Sequence, residues 1–365
     1  MIEKILIKDE GERFYRFANA DGKVWIMPAR NIRTAMELYQ PSGRNGILLK
    51  RCFPLLHRMA WVRRKIHVET FRCRLNDELR LVLENAFHTN GLEFSLFCGT
   101  PCVHQKITMQ ISQGQRILGY CKISDKHDIA SLFDKEAALL NDLHARGVKN
   151  IPTGLYCGCL ADGTKLFVQS TSKTRSSTVV HEWKDLHDRF LARLQELTQQ
   201  KLKFEDSDYF KTLKAFERHY DWLPAEADKQ LMREAIEATC CRWRGKEVVF
   251  SAYHADFTPW NMFVEKGELF VFDWEYAQMT YPPMLDKYHF FTQTAIFERH
   301  WEAADIIRYI DSKEGRWIVA EDYKAYLIEA IARFTLREQG QANSNITLSI
   351  KLWNELLMFL TIRKQ

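Results

Sequence analysis

Apolar positions along this chain recur in two rhythms, and the change from one to the other divides it. In "RFYRFANADGKVWIMP" the alternation of apolar and polar residues predicts two strands around Ala20-Asp21-Gly22, a hairpin signal. "NIRTAMELYQPSG" predicts a short helix ended by Pro41 and Gly43, and "GILLKRCFPLLHRMAWVRRK" helical pieces broken near Pro54. "NDELRLVLENAF" reads as a capped helix. From about Gly91, "EFSLFCGTP", "HQKITMQIS" and "RILGYCKIS" predict three successive strands. A helix follows, with Leu132, Phe133, Ala137, Leu140 and Leu143 at helical spacing and Gly147 as its stop; "KLFVQSTS" is a further strand. After Ser172 the period becomes helical: Trp183, Leu186, Phe190, Leu194 and Leu197 share one face, and "EDYKAYLIEAIARF" and "SIKLWNELLMFL" are further amphipathic or buried helices. One strand-rich island interrupts them, "EVVFSAYHADFTPWNMFVEKGELFVFDWEYA". The pattern predicts an α+β chain in three parts: residues 1–90, a sheet-rich lobe over 91–172 and a helical lobe over 173–365.

Composition adds bounds. The chain has 365 residues, 46% hydrophobic and 27% charged, ordinary for a soluble globular protein of two or three domains. It offers no run of about 20 apolar residues and its start does not resemble a signal peptide, so a cytoplasmic location is expected. Nine cysteines in no zinc-like spacing fit reduced thiols. Charge is uneven: residues 1–90 hold seventeen Lys and Arg against ten Asp and Glu, which leaves −2 for the rest of a chain whose net charge is +5. Between Arg44 and Arg74 the only acidic residue is Glu69. That stretch reads as a solvated helix surface or as an attractor for anionic partners, including the inner face of a membrane. No specific nucleic-acid binding is expected.

The chemistry concentrates in the island. His254, Asp256 and Asn261 sit in a loop between two strands, Lys266-Gly267 turns a hairpin, and "LFVFDWE" then delivers Asp273 and Glu275. Phosphoryl transfer needs such a set: one carboxylate to accept a hydroxyl proton, with an Asn oxygen and a second carboxylate to hold magnesium. The spacing from Asp256 to Asn261 equals that of the protein-kinase catalytic loop, with His254 two residues ahead of the Asp.

His254-Ala-Asp256-Phe-Thr-Pro259-Trp-Asn261, followed by Phe-Asp273-Trp-Glu275, resembles the aminoglycoside phosphotransferase and choline kinase superfamily. The resemblance implies a protein-kinase-like bilobal fold, with a small antiparallel-sheet N-lobe and a larger, mainly helical C-lobe. Residues 1–90 would then be an extra N-terminal α/β region. It further implies ATP and Mg2+ as cofactors and a small-molecule hydroxyl as acceptor. Asp256 would be the catalytic base, His254 would brace the loop, and Asn261 and Asp273 would be metal ligands with Glu275 as helper. Asp286 in "YPPMLDKYHFF" matches an Asp with a structural role. In the upstream lobe, Lys122 and Glu136 occupy the order expected of the phosphate-binding lysine and its helix partner. Gln169, Ser170 and Thr171 would meet the adenine. Gly99 is the lone glycine where a kinase has a glycine-rich loop, which points away from protein kinases, and Ala255 stands where the superfamily has Gly.

For the acceptor, the region after Ser172 is rich in aromatic residues and has no acidic run, which favours a sugar or surface-glycan hydroxyl, lipid-linked glycans included, over a polycationic aminoglycoside. An amino-alcohol or aminoglycoside kinase is the alternative. A catalytically inactive kinase-like scaffold and a membrane-binding protein are the rivals from other classes, the latter docking through residues 44–74.

Overall fold

Strands bury their apolar residues by pairing into sheets, and in this chain eight strands join in one sheet. The computed structural model describes residues 1–20, 22–41, 43–99 and 105–362. Asp21 of the expected hairpin turn lies outside them, as do residues 100–104 of the loop expected to cover phosphates. The chain divides into two compact units, one comprising residues 1–145, 149–178 and 263–275, the other residues 146–148, 179–262 and 276–365.

The strands of the first unit are β1 (Leu6–Ala18), β2 (Val24–Pro28), β3 (Glu69–Leu75), β4 (Glu93–Phe97), β5 (Ile107–Gln113), β6 (Arg116–Ser124), β7 (Gly154–Cys159) and β8 (Lys165–Ser170). Their order is β3-β1-β2-β4-β5-β6-β8-β7, antiparallel throughout. Three strands from the first ninety residues therefore extend the sheet that begins at Glu93. β3 and β7, which alternation did not predict, are its two outer strands. The helix Arg44–Leu56 runs through Pro54 instead of breaking there. Pro54 falls in the last turn, where His57 N–H still closes on Phe53 O at 2.8 Å, so the ring removes only one bond.

Behind the sheet lies the helix His127–Ala145, which buries Ile129, Phe133, Glu136, Leu140 and Leu143 as one stripe. Fully burying a side chain such as Phe133 or Leu140 contributes about 1.5–3 kcal/mol. A carboxylate in such a stripe is costly without a partner, so Glu136 marks the place where this packing serves chemistry.

The second unit is mainly helical. Side-chain oxygens of Ser207 and Asp228 cap the helices Asp208–Glu217 and Lys229–Trp243 by accepting first-turn N–H groups. Its central strand, Glu247–Tyr253, pairs antiparallel with Gln200–Lys203 and Gln278–Tyr281. The helix Leu285–Phe297 is buried along most of its length, so even its polar residues Asp286 and His289 face the interior. Among the described residues no helix is long and apolar enough to cross a membrane.

Candidate active site

The strand Glu247–Tyr253 ends inside the second unit, and the chain must turn at once. Ala255 makes that turn at φ 70°, in the left-handed region that ordinarily favours glycine. Asp286 holds the strained backbone: its two carboxylate oxygens accept the N–H of His254 at 2.9 Å and of Ala255 at 3.2 Å. Burial pushes the Asp286 carboxyl up to about 7, against the pull of those two amide donors. His254 is fully buried, and its Nδ1 accepts the backbone N–H of Asp256 at 3.2 Å, which fixes the direction of the next residue.

Asp256 is thus aimed by backbone and gripped by side chains. Asn261, in the 3-10 turn Pro259–Asn261, donates from Nδ2 to Asp256 Oδ2 at 2.7 Å and to its carbonyl at 3.0 Å. His289 approaches the other oxygen, Nε2 to Oδ1, at 3.2 Å. Its Nδ1 lies 3.2 Å from the Tyr326 hydroxyl. Burial holds His289 below its ordinary 6.5, opposed by the hydrogen bond to Asp256, so the ring is neutral at pH 7. A neutral ring beside a carboxylate carries its proton on Nε2 and accepts the Tyr326 O–H on Nδ1. Sequence reading missed His289; the available signal was its position one helical turn after Asp286. Beneath the loop, Tyr253 donates to Glu329 at 2.8 Å, and Arg333 Nε donates to the other Glu329 oxygen at 2.7 Å.

The first unit gathers a second constellation. Lys122 lies on β6, paired with Thr108 on β5 and Phe167 on β8. Its ammonium donates to Glu136 at 2.6 Å, to Asp273, and to Glu275 at 3.5 Å. Burial alone would lower the Lys122 pKa; the carboxylates of Asp273, Glu136 and Glu275 hold it well above its ordinary value. Burial raises the Glu136 carboxyl, opposed by Lys122. Glu136 is further fixed by the Trp274 N–H at 3.1 Å. Asp273 adopts φ 69°, a strained conformation at the end of its hairpin. Lys106, just ahead of β5, also pairs with Glu275 and stands 3.6 Å from Asp273. It too was missed, because one lysine before a strand carries no sequence signal.

One carboxylate oxygen from each of Glu136, Asp273 and Glu275 lies within 4.8 Å of the others. An all-oxygen donor set of this kind suits magnesium. Asn261, the other expected ligand, belongs to the second unit.

The remaining expected residues sit elsewhere on the first unit. Gly99 follows β4 at φ 74°, where a Cβ would meet Lys106 O at 2.5 Å. Gln169 pairs with Tyr120 across β8 and β6, and the Ser170 hydroxyl accepts the Thr153 N–H at 2.9 Å. Thr171 lines a cavity of about 420 Å³ together with Ile117, Lys173 and Phe270.

A sequence model of the phosphotransferase enzyme family matches residues 121–310, just over half of the chain. Among solved structures, a thermostable mutant of an aminoglycoside phosphotransferase, in ternary complex with ADP and hygromycin B, is 13% identical with a TM-score of 0.52. It covers 78% of this chain and 98% of its own. The same enzyme with AMP-PNP and hygromycin B gives 0.51 at 13% identity over the same shares. The choline kinase LicA from Streptococcus pneumoniae is 16% identical, with a TM-score of 0.45 over 69% of this chain and 89% of its own. A search of curated proteins by sequence finds no match. At these identities the likeness establishes the fold, which is the kinase-like α+β fold expected from the motifs.

Proposed function

This chain belongs to the phosphotransferase enzyme family and is a kinase with an alcohol group as acceptor, and on that premise we propose that it moves the γ-phosphate of ATP to a hydroxyl of a sugar or surface-glycan unit. The observation that carries the assignment of roles is Asp256, a half-buried carboxylate with Asn261 on one oxygen and His289 on the other. Asp256 accepts the acceptor's hydroxyl proton as that oxygen bonds to phosphorus; the bond between the γ-phosphorus and the bridging oxygen breaks, and ADP leaves. His289 and Asn261 are positioning residues that hold the carboxylate still. Lys122 contacts the phosphates of ATP, with Glu136 keeping its ammonium in place. Gln169, Ser170 and Thr171 stand at the adenine end, and Gly99 at the phosphate end. Magnesium, held by Asp273 and Glu275, would neutralise phosphate charge.

The N-terminal region supports a peripheral association with anionic membrane. Leu48, Leu55 and Trp61 are 60%, 63% and 63% exposed on the helices Arg44–Leu56 and Ala60–Lys65. Exposed Arg44, Arg51, Arg58, Arg64 and Lys65 alternate with them along the chain. Exposed apolar side chains interspersed with cations are the composition of an interfacial helix, and a solvated surface does not need the former.

The experiment is incubation with labelled ATP and magnesium against sugars, amino alcohols, aminoglycosides and lipid-linked glycans. Label on a sugar hydroxyl is expected. Label only on an amino alcohol or aminoglycoside overturns the sugar assignment, and no label on any compound supports the inactive-scaffold alternative.

A further inference from the structure

The second unit contains a cavity of about 330 Å³ walled by aromatic rings and basic side chains, with no carboxylate in its lining. Trp183 and Phe290 form the wall nearest the catalytic loop: Phe257, the residue after Asp256, has its ring 6.2 Å from that of Trp183 and 6.3 Å from that of Phe290. Lys287 stands between two indoles, its Nζ 5.0 Å from the Trp183 centroid and 5.3 Å from that of Trp317. Asp188 accepts from Lys287 at 2.9 Å from outside the lining. Arg299 lines the same cavity and has no carboxylate partner among the described residues.

A box built for a cationic substrate presents free aromatic faces or carboxylates to it. In this cavity the protein's own ammonium occupies the space between the indole faces, and a second cation would meet Lys287 and Arg299 at close range, with only Asp188, already paired to Lys287 outside the lining, to offset the repulsion. A carboxylate or phosphate meets two donors of opposite charge. The rest of the lining is aromatic, Phe291 and Tyr309 included, and suits the apolar face of a ring, as in pockets that combine aromatic walls with a few placed charges.

We propose that this cavity receives the acceptor and that the acceptor is an anionic sugar, its phosphate or carboxylate held by Lys287 and Arg299 and its ring set against the aromatic lining beside them. This rests on the phosphotransferase roles assigned above and specifies the substrate class. The cavity rejects choline-like and aminoglycoside-like cations by charge.

Tryptophan fluorescence titration in the absence of nucleotide tests it, with glucose 6-phosphate, glucuronate, glucose, glucosamine and choline as probes. At least one of the two anions binds about tenfold or more tightly than glucose, and comparing them tells phosphate from carboxylate. Glucosamine and choline bind no better than glucose. Lys287→Met combined with Arg299→Gln erases the preference, while Lys287→Arg retains it, which separates lost charge from lost folding. The proposal is overturned if neither anion binds, if choline or glucosamine binds most tightly, or if the preference survives the double variant. Because nucleotide is absent, the result is independent of transfer: label moving to a neutral or cationic compound without anion preference defeats this inference alone. Anion binding with no transfer to any compound instead defeats the catalytic roles.

Discussion

His289 Nε2, on a fully buried ring, lies 3.2 Å from Oδ1 of the half-buried Asp256, within the second unit. The contact places a neutral imidazole against a carboxylate, so the aspartate receives a hydrogen bond without gaining a competing positive charge. His289→Gln is therefore expected to lower kcat several-fold to tenfold with little change in the KM for ATP, because it alters the aim of Asp256 and not the nucleotide site. Steady-state kinetics with varied ATP read this. A rise in KM alone contradicts a positioning role.

The same ring gives a pH signature. Burial lowers the folded pKa of His289 below 6.5, so the unfolded chain takes up the proton first as pH falls. Its contribution to stability is full above about 6.5 and is lost as pH falls through the lower folded value. Asp286 has the opposite sign: raised to about 7, its contribution is full below the ordinary carboxyl range and lost as pH rises through 7. Comparing wild type with His289→Gln isolates the histidine. In urea unfolding from pH 7.5 to 5.5, wild type loses stability relative to the variant; a constant difference contradicts this reading.

Lys122 and Glu136 make a buried pair at 2.6 Å. Glu136→Leu leaves the ammonium to Asp273 and Glu275 and draws it away from where phosphate would meet it. The expected result is loss of most of the thermal stabilisation that magnesium-ATP at millimolar concentration is expected to give wild type. An unchanged ATP shift in Glu136→Leu contradicts the pairing role, and removal of magnesium by EDTA is expected to reduce the wild-type shift as well.

Glu329 accepts from Tyr253 and Arg333 in the interior beneath the catalytic loop. Removing it as Glu329→Leu strands a buried guanidinium, at a cost of about 3–5 kcal/mol. The double change Glu329→Leu with Arg333→Met removes both charges and is expected to recover part of that loss in chemical denaturation. A double variant less stable than the single one contradicts the account.

The helices Arg44–Leu56 and Ala60–Lys65 are expected to bind vesicles containing phosphatidylserine in a flotation assay, with binding that falls as salt rises. Leu55→Ser with Trp61→Ser reduces it. Equal binding to neutral vesicles contradicts an electrostatic contribution.

How far the sequence reveals all this depends on burial. The strands β4, β5, β6 and β8 are legible because they lie inside the sheet and bury runs of apolar residues. β3, "ETFRCRL", does alternate Phe71, Cys73 and Leu75 with polar residues, but it is a short outer strand carrying three charges, and β7, "GLYCGC", is an outer strand with no fully buried residue and no period to read. The catalytic stretch was legible because spacing between His254, Asp256 and Asn261 is local. His289 and Lys106 reach their partners only through tertiary packing, from a buried helix and from the chain just ahead of a strand, and single residues of common type give no pattern. Glu136 was placed by its order after Lys122; its position within an apolar stripe is the physical reason it needs that partner.

The most direct measurement of the central claim is phosphate transfer by Asp256→Asn, which keeps the side chain's size and removes its capacity to take a proton. With an acceptor identified and ATP saturating, kcat is predicted to fall by about 10²–10⁴-fold while magnesium-ATP still stabilises the variant in a thermal shift. Turnover within a few-fold of wild type would contradict the assignment of Asp256 as the base.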